Sequence, residues 1–200
     1  MLARLLSRLL FRAEEARLQK EKKSIGHLGS GSTIRTGLKI VGGEHISIGE
    51  DFYAGPDCRI EAWDAYEGEK YNPVIRIGNR VSIQSGCHIG AIRSVEIGDD
   101  TLLGAHVMII DHDHGSTELS ELEISPAKRK LFSKGGVTIG EKCWLGENSV
   151  VLSGVTIGKC CVIGANAVVT QDVPDYSVAA GNPAKIIKHY MHTENHDVPE

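Results

Sequence analysis

The chain has 200 residues, 24% of them charged, and a formal net charge of −4. That length suits one or two domains, and the negative balance excludes a nucleic-acid binder as a whole. Charge is uneven: residues 1–23 carry a net +4 and the remainder a net −8.

In chain order, Met1 to Lys23 reads as a helix. Leu2, Leu5, Leu6, Leu9 and Leu10 recur at three-four spacing, with Arg4, Arg8 and Arg12 on another side. The stretch is too short and too charged to span a bilayer. Arginines interrupt the apolar run that a signal peptide needs, and no small-residue cleavage site follows. Two uses stay open: lying on an anionic membrane surface, or packing on the end of the fold or on a neighbouring subunit.

Aliphatic residues then recur every six positions: Ile34, Ile40 and Ile46, then Ile48, Ala54 and Ile60 after a slip of two. Ala65 to Pro73 breaks the pattern and reads as a loop. The phase returns at Ile77, Ile83 and Ile89, slips over Ala91–Glu96, and resumes at Ile97, Leu103 and Ile109. Residues 110–136 are the largest interruption, long, polar and charged. Such insertions in regular folds are usually functional or disordered.

From Ile139 to Pro174 the period is unbroken. Ile139, Leu145, Val151, Ile157, Ile163 and Val169 share one phase, and Gly140, Gly146, Gly158 and Gly164 follow four of them directly. A period of six fits neither a helix nor an alternating strand alone. It fits a short strand plus a tight turn, one side of a triangular coil of eighteen residues, stacked in parallel on its neighbours. Glycine, or Asn and Asp beside it, suits corner backbone with positive φ. The reading is mainly β: a parallel β-helix over 25–175 with an inserted loop at 110–136. An N-terminal helix over 1–24 precedes it, and a turn, short basic helix and frayed tail over 176–200 follow.

Cys58, Cys87, Cys143 and Cys161 each stand four residues after a phase-setting position, the slot for a small buried side chain. Without a disulfide framework or CxxC spacing, they suggest a reducing compartment, hence the cytoplasm. Asp111-His112-Asp113-His114 is the one dense titratable cluster, at the mouth of the insertion. Imidazole is the base best matched to neutral pH, and a neighbouring carboxylate can fix its tautomer.

From about Ile77 to Lys188 the sequence resembles the hexapeptide-repeat acyltransferases of the galactoside and maltose O-acetyltransferase type. It is most similar to those that O-acetylate lipopolysaccharide and capsular polysaccharide. The matching stretches are IGDDTLLGAHVMIIDHDHG, VTIGEKCWLGENSVVLSGVTIG, VIGANAVVTQDVP and VAAGNPAKIIK. The resemblance implies a left-handed coil, a homotrimer, and acetyl-CoA held between subunits as cosubstrate, with no metal. It also implies a sugar or oligosaccharide acceptor whose hydroxyl a histidine activates. An ungapped count from Val107 places the base at His114, with His112 beside it as a substrate or orienting group and Asp111 on the substrate. The family's acceptor-binding asparagine falls at Gln84. Donor contacts fall on Trp144, Gly146, Glu147, Gly164, Ala165, Thr170, Gln171, Lys185 and Lys188, and an oxyanion donor falls near Gly146. Lys128, Arg129, Lys130 and Lys134 offer cations to an anionic acceptor. If the acceptor is built on a lipid carrier, the N-terminal helix suits a place at the inner membrane.

Three alternatives remain at this level. An N-acetyltransferase on an amino sugar would use the same base. A zinc enzyme like the γ-class carbonic anhydrases would draw on His88, His106, His112 and His114, though the spacing differs. A non-catalytic scaffold would leave the histidine cluster unused.

Overall fold

The computed structural model describes residues 2–191, with side chains from residue 6. The expected frayed tail at 194–200 lies outside the described residues. Helix α1, Leu2–Ser24, leads into a three-faced solenoid. The first face stacks His27–Leu28, Ile46–Ile48, Val74–Ile77, Ser94–Ile97, Val137–Ile139 and Thr156–Ile157 in parallel. The second runs from Thr33–Ile34 to Ser177–Ala180, and the third from Lys39–Val41 to Val168–Val169.

The six-residue phase is the register of this stack. On the first face Ile48, Ile77, Ile97, Ile139 and Ile157 lie one above another. On the third, Ile40, Ile60, Ile89, Ile109, Val151 and Val169 do the same. Nearly all these side chains are buried and form one continuous apolar core. Cys58, Cys87, Cys143 and Cys161 are buried with them, while Cys160 is half-exposed. Each interior thiol donates to a carbonyl of the adjoining coil, as Cys143 Sγ does to Gly158 O at 3.0 Å.

Two details differ from expectation. The glycines after each aliphatic are not the left-handed corner residues. Positive φ falls two places later, on Lys142, Asn148, Cys160 and Asn166. Gly140 and Gly146 are instead forced by stacking, since a Cβ would lie 2.5 Å from the backbone nitrogens of Lys159 and Ala165. Second, the segment expected as a short C-terminal helix is a strand. Lys185–His189 turns back after Pro183 and pairs antiparallel with Ser177–Ala180. The exposed edge of the second face supplies unpaired backbone groups there, and pairing overrides local helix preference.

Coil length varies in a way that matters for the site. Ile139 sits on Ile157, eighteen residues apart, but Ile77 sits on Ile97, twenty apart. The two extra residues enlarge the corner at 91–94, between the third and first faces.

Two segments leave the coil. The break after Trp63 is a small hairpin, Ala65–Tyr66 with Glu69–Lys70. Residues 111–136 leave the same edge of the third face and contain the strand pair Asp113–His114 and Leu131–Phe132. A one-turn helix, Leu119–Leu122, lies between them.

The two segments fold together. Tyr66 Oη donates to Ala127 O at 2.8 Å, Leu131 N donates to Tyr71 Oη at 2.9 Å, and Lys130 pairs with Glu69.

Candidate active site

The outward side of the third face is the floor of a cavity of about 190 Å³. Arg59, Glu61, His88 and Ile110 rise from the coils, Trp63 and Tyr66 from the hairpin, and His112, His114 and Leu131 from the insertion. The cavity exists because the two segments wall off one stretch of the third face.

Asp111 fixes the site from below. It is fully buried, and its carboxylate accepts three backbone N–H groups of the enlarged corner: Ile92 at 2.8 Å, Arg93 at 2.7 Å and Ser94 at 2.8 Å. A buried charge needs such compensation. Its Oδ1 also lies 3.0 Å from His112 Nδ1. An ionised carboxylate only accepts, so Nδ1 carries the proton and the Nε2 lone pair is free. The His112 side chain is 12% exposed. His114 is exposed and packs edge-on against Tyr66, with ring centroids 5.3 Å apart.

A second histidine–carboxylate pair lies beside the first. Glu61 is buried beneath Lys39 and Arg59, whose nitrogens lie 2.8 Å from its oxygens, and His88 Nε2 is 3.2 Å from Oε2. Burial pushes this carboxyl up, but the hydrogen bonds from His88, Arg59 and Lys39 outweigh it and hold Glu61 well below the usual carboxylate range. Gly90 separates the two imidazoles: a side chain there would meet His112 Cε1 at 3.4 Å and His88 Nε2 at 3.6 Å.

Of the sequence-derived positions, the cavity gathers His112 and His114, with Asp111 directly beneath. Gln84 is not in it; it lies at the corner between the second and third faces, with Nε2 3.3 Å from Ser82 Oγ. Gly146, Glu147, Gly164 and Ala165 occupy the same corner in later coils. Trp144 projects from the second face, 55% exposed, in register with the exposed Leu102. Thr170 and Gln171 are exposed just after Val168–Val169, and Lys185 and Lys188 are exposed on the last strand.

The N–H of Gly146 already donates to Ile163 O at 2.8 Å, so it is not a free oxyanion donor. Arg129 donates to the carbonyls of Ile124 and Leu122 within the insertion, and Lys130 pairs with Glu69, so neither is a free cation for a ligand.

Sequence reasoning missed Glu61, Trp63 and Tyr66, and named His88 only for the zinc alternative. A signal was present: Trp63, Tyr66 and Tyr71 are three of only ten aromatic residues, grouped at one break in the repeat. His106 stands at the corner between the second and third faces, against Gly86 and apart from the remaining three histidines of the zinc alternative. Among the described residues, the one grouping with metal-ligand geometry is Glu44, His45 and Asp64, a surface cluster outside the cavity.

The stacked six-residue coil and its histidine cavity define a class, the hexapeptide transferases. The family profile described as bacterial transferase hexapeptide (six repeats) matches residues 136–171. Over 151 residues the chain is 42% identical to WbbJ of Escherichia coli (strain K12), named for lipopolysaccharide biosynthesis O-acetyl transfer, covering 74% of this chain and 73% of that one. A maltose O-acetyltransferase from Clostridium difficile 630 superposes with a TM-score of 0.56 at 24% identity, over 89% of this chain and 76% of that one. AntD, an N-acyltransferase from Bacillus cereus solved with dTDP and 3-hydroxybutyryl-CoA, does so with a TM-score of 0.69 at 17% identity, over 88% of each. The fold is the left-handed parallel β-helix. The chain belongs to the hexapeptide-repeat acetyltransferases, and it is an acyltransferase.

Proposed function

We propose that the protein transfers acetyl from acetyl-CoA to a sugar hydroxyl in lipopolysaccharide or cell-surface polysaccharide biosynthesis, with His112 as general base. The observation that carries this reading is the buried Asp111–His112 pair opening into the cavity over the third face. WbbJ supports the acceptor class, and the acyl-CoA bound to AntD supports the donor.

The chemistry follows from the hydrogen bonds. Asp111 is fixed by three N–H donors and fixes His112 in turn. Nε2 takes the proton of the acceptor hydroxyl as its oxygen attacks the thioester carbonyl carbon. The tetrahedral intermediate collapses, the C–S bond breaks, and the imidazolium returns its proton to the leaving thiolate. The products are the acetyl ester and free CoA, with no acyl-enzyme. The base role that sequence counting gave to His114 passes to His112, because of these two only His112 has a carboxylate behind it. His114, with Tyr66, is placed to contact the acceptor.

Apart from Thr170 and Gln171, which follow Val169 on the third face, the donor positions of the resemblance stand on the second face and its corner, while the histidines stand over the far edge of the third. One chain does not bring them together. We therefore infer a homotrimer in which a second copy carries Trp144, Glu147, Lys185 and Lys188 to the histidine cavity. Exposed Trp144 and Leu102 form an apolar patch suited to such an interface. Gly146, Gly164 and Ala165 belong to the same donor corner, and Gln84 to the acceptor side of the neighbour. The free cysteines support a cytoplasmic setting for the reaction.

The test is thiol release from acetyl-CoA against a panel of sugars, amino sugars and lipid-linked oligosaccharides, with CoA binding measured by calorimetry. Release that depends on a hydroxyl acceptor is expected. Release with amino sugars alone would make this an N-acetyltransferase, and failure to bind CoA would end the reading.

A further inference from the structure

Among the described residues, helix α1 is joined to the solenoid only near its end. Leu18 packs against the core, and Glu21 Oε2 accepts the Ile40 N–H at 3.1 Å. Residues 6–17 are all exposed, so the helix projects by about 18 Å. Leu9 precedes Leu18 by about two and a half turns, so it points away from the solenoid. Leu6 and Leu10 flank it, and all three are 57–59% exposed. The solenoid that anchors the helix therefore leaves its leucine stripe uncovered.

Charge decides what covers it. Between Leu2 and Arg12 the sequence has Arg4, Arg8 and Arg12 and no acidic residue. A second copy packed in parallel along the stripe would set arginines beside arginines, the nearest carboxylates, Glu14 and Glu15, lying beyond them. A bilayer with anionic headgroups offers both an apolar layer and phosphate oxygens that guanidinium groups bind in pairs. No helix among the described residues is long and apolar enough to cross a membrane. We propose that α1 docks the enzyme onto an anionic phospholipid surface, Leu6, Leu9 and Leu10 entering the acyl boundary and Arg8 and Arg12 the headgroups.

The test is sedimentation of the full chain with vesicles of phosphatidylcholine alone or mixed with phosphatidylglycerol. Binding to the mixed vesicles, weakened by salt, is expected. Arg8→Glu/Arg12→Glu and Leu6→Ser/Leu9→Ser should each lower partitioning about tenfold or more. Neither pair touches the solenoid, so thermal unfolding should not change. The proposal is overturned if anionic vesicles do not retain the protein, or if both variants bind like wild type. It is equally overturned if the leucine variant instead dissolves an oligomer that wild type forms without lipid.

Discussion

His112 and His114 stand two residues apart and meet the same cavity from different supports. The imidazole of His112 is held by a carboxylate that is itself held by three N–H groups, whereas His114 rests on an aromatic edge. Asp111→Asn would place an amide where an anion compensates those donors. It should lower kcat with little change in KM and cost about 1–3 kcal/mol of stability, measured by steady-state kinetics and urea unfolding. Glu61 makes a separate claim. Its folded pKa lies well below the unfolded value, so its contribution is present above the ordinary carboxylate range and is lost progressively as pH falls from that range toward the lower folded pKa. Denaturant stability of wild type should therefore drop between about pH 5 and pH 3, and Glu61→Gln should flatten that drop. The pairing His112 would use was legible, because Asp111 is its neighbour in sequence. Glu61 was not, because its partners Lys39 and His88 come from two other coils and only three-dimensional stacking brings them together.

Among the elements, the repeating coil was readable and the corner residues only partly so. A six-residue phase states which side chains stack, and Ile139 over Ile157 follows directly. It does not state which corner residue turns left-handed, because that depends on how tightly successive coils approach. At Gly146 the approach is decisive: a Cβ would lie 2.5 Å from Ala165 N, so Gly146→Ala should lower the melting temperature by forcing the coils apart. The insertion was legible as an interruption but not as a wall of the site. Its order depends on Tyr71, whose hydroxyl accepts from Leu131 N and donates to Leu131 O at 3.2 Å. Tyr71→Phe leaves a buried N–H unpaired, a cost of about 1–3 kcal/mol. Faster proteolysis within 111–136 and a raised acceptor KM are expected, with the solenoid itself intact.

For the whole molecule, the separation of the proposed donor corner from the histidine cavity has a direct consequence. If the reaction joins two copies, an inactive His112→Ala chain and an inactive donor-side Trp144→Ala chain should restore activity when mixed, since some interfaces then pair an intact cavity with an intact donor face. Variants confined to one face would not complement each other. The central claim remains the base. Thiol release from acetyl-CoA with the responding sugar should fall about 10²–10⁴-fold in kcat for His112→Ala, while His114→Ala should act mainly through the acceptor KM. Retention of wild-type kcat by His112→Ala, with the loss appearing in His114→Ala instead, would contradict the account.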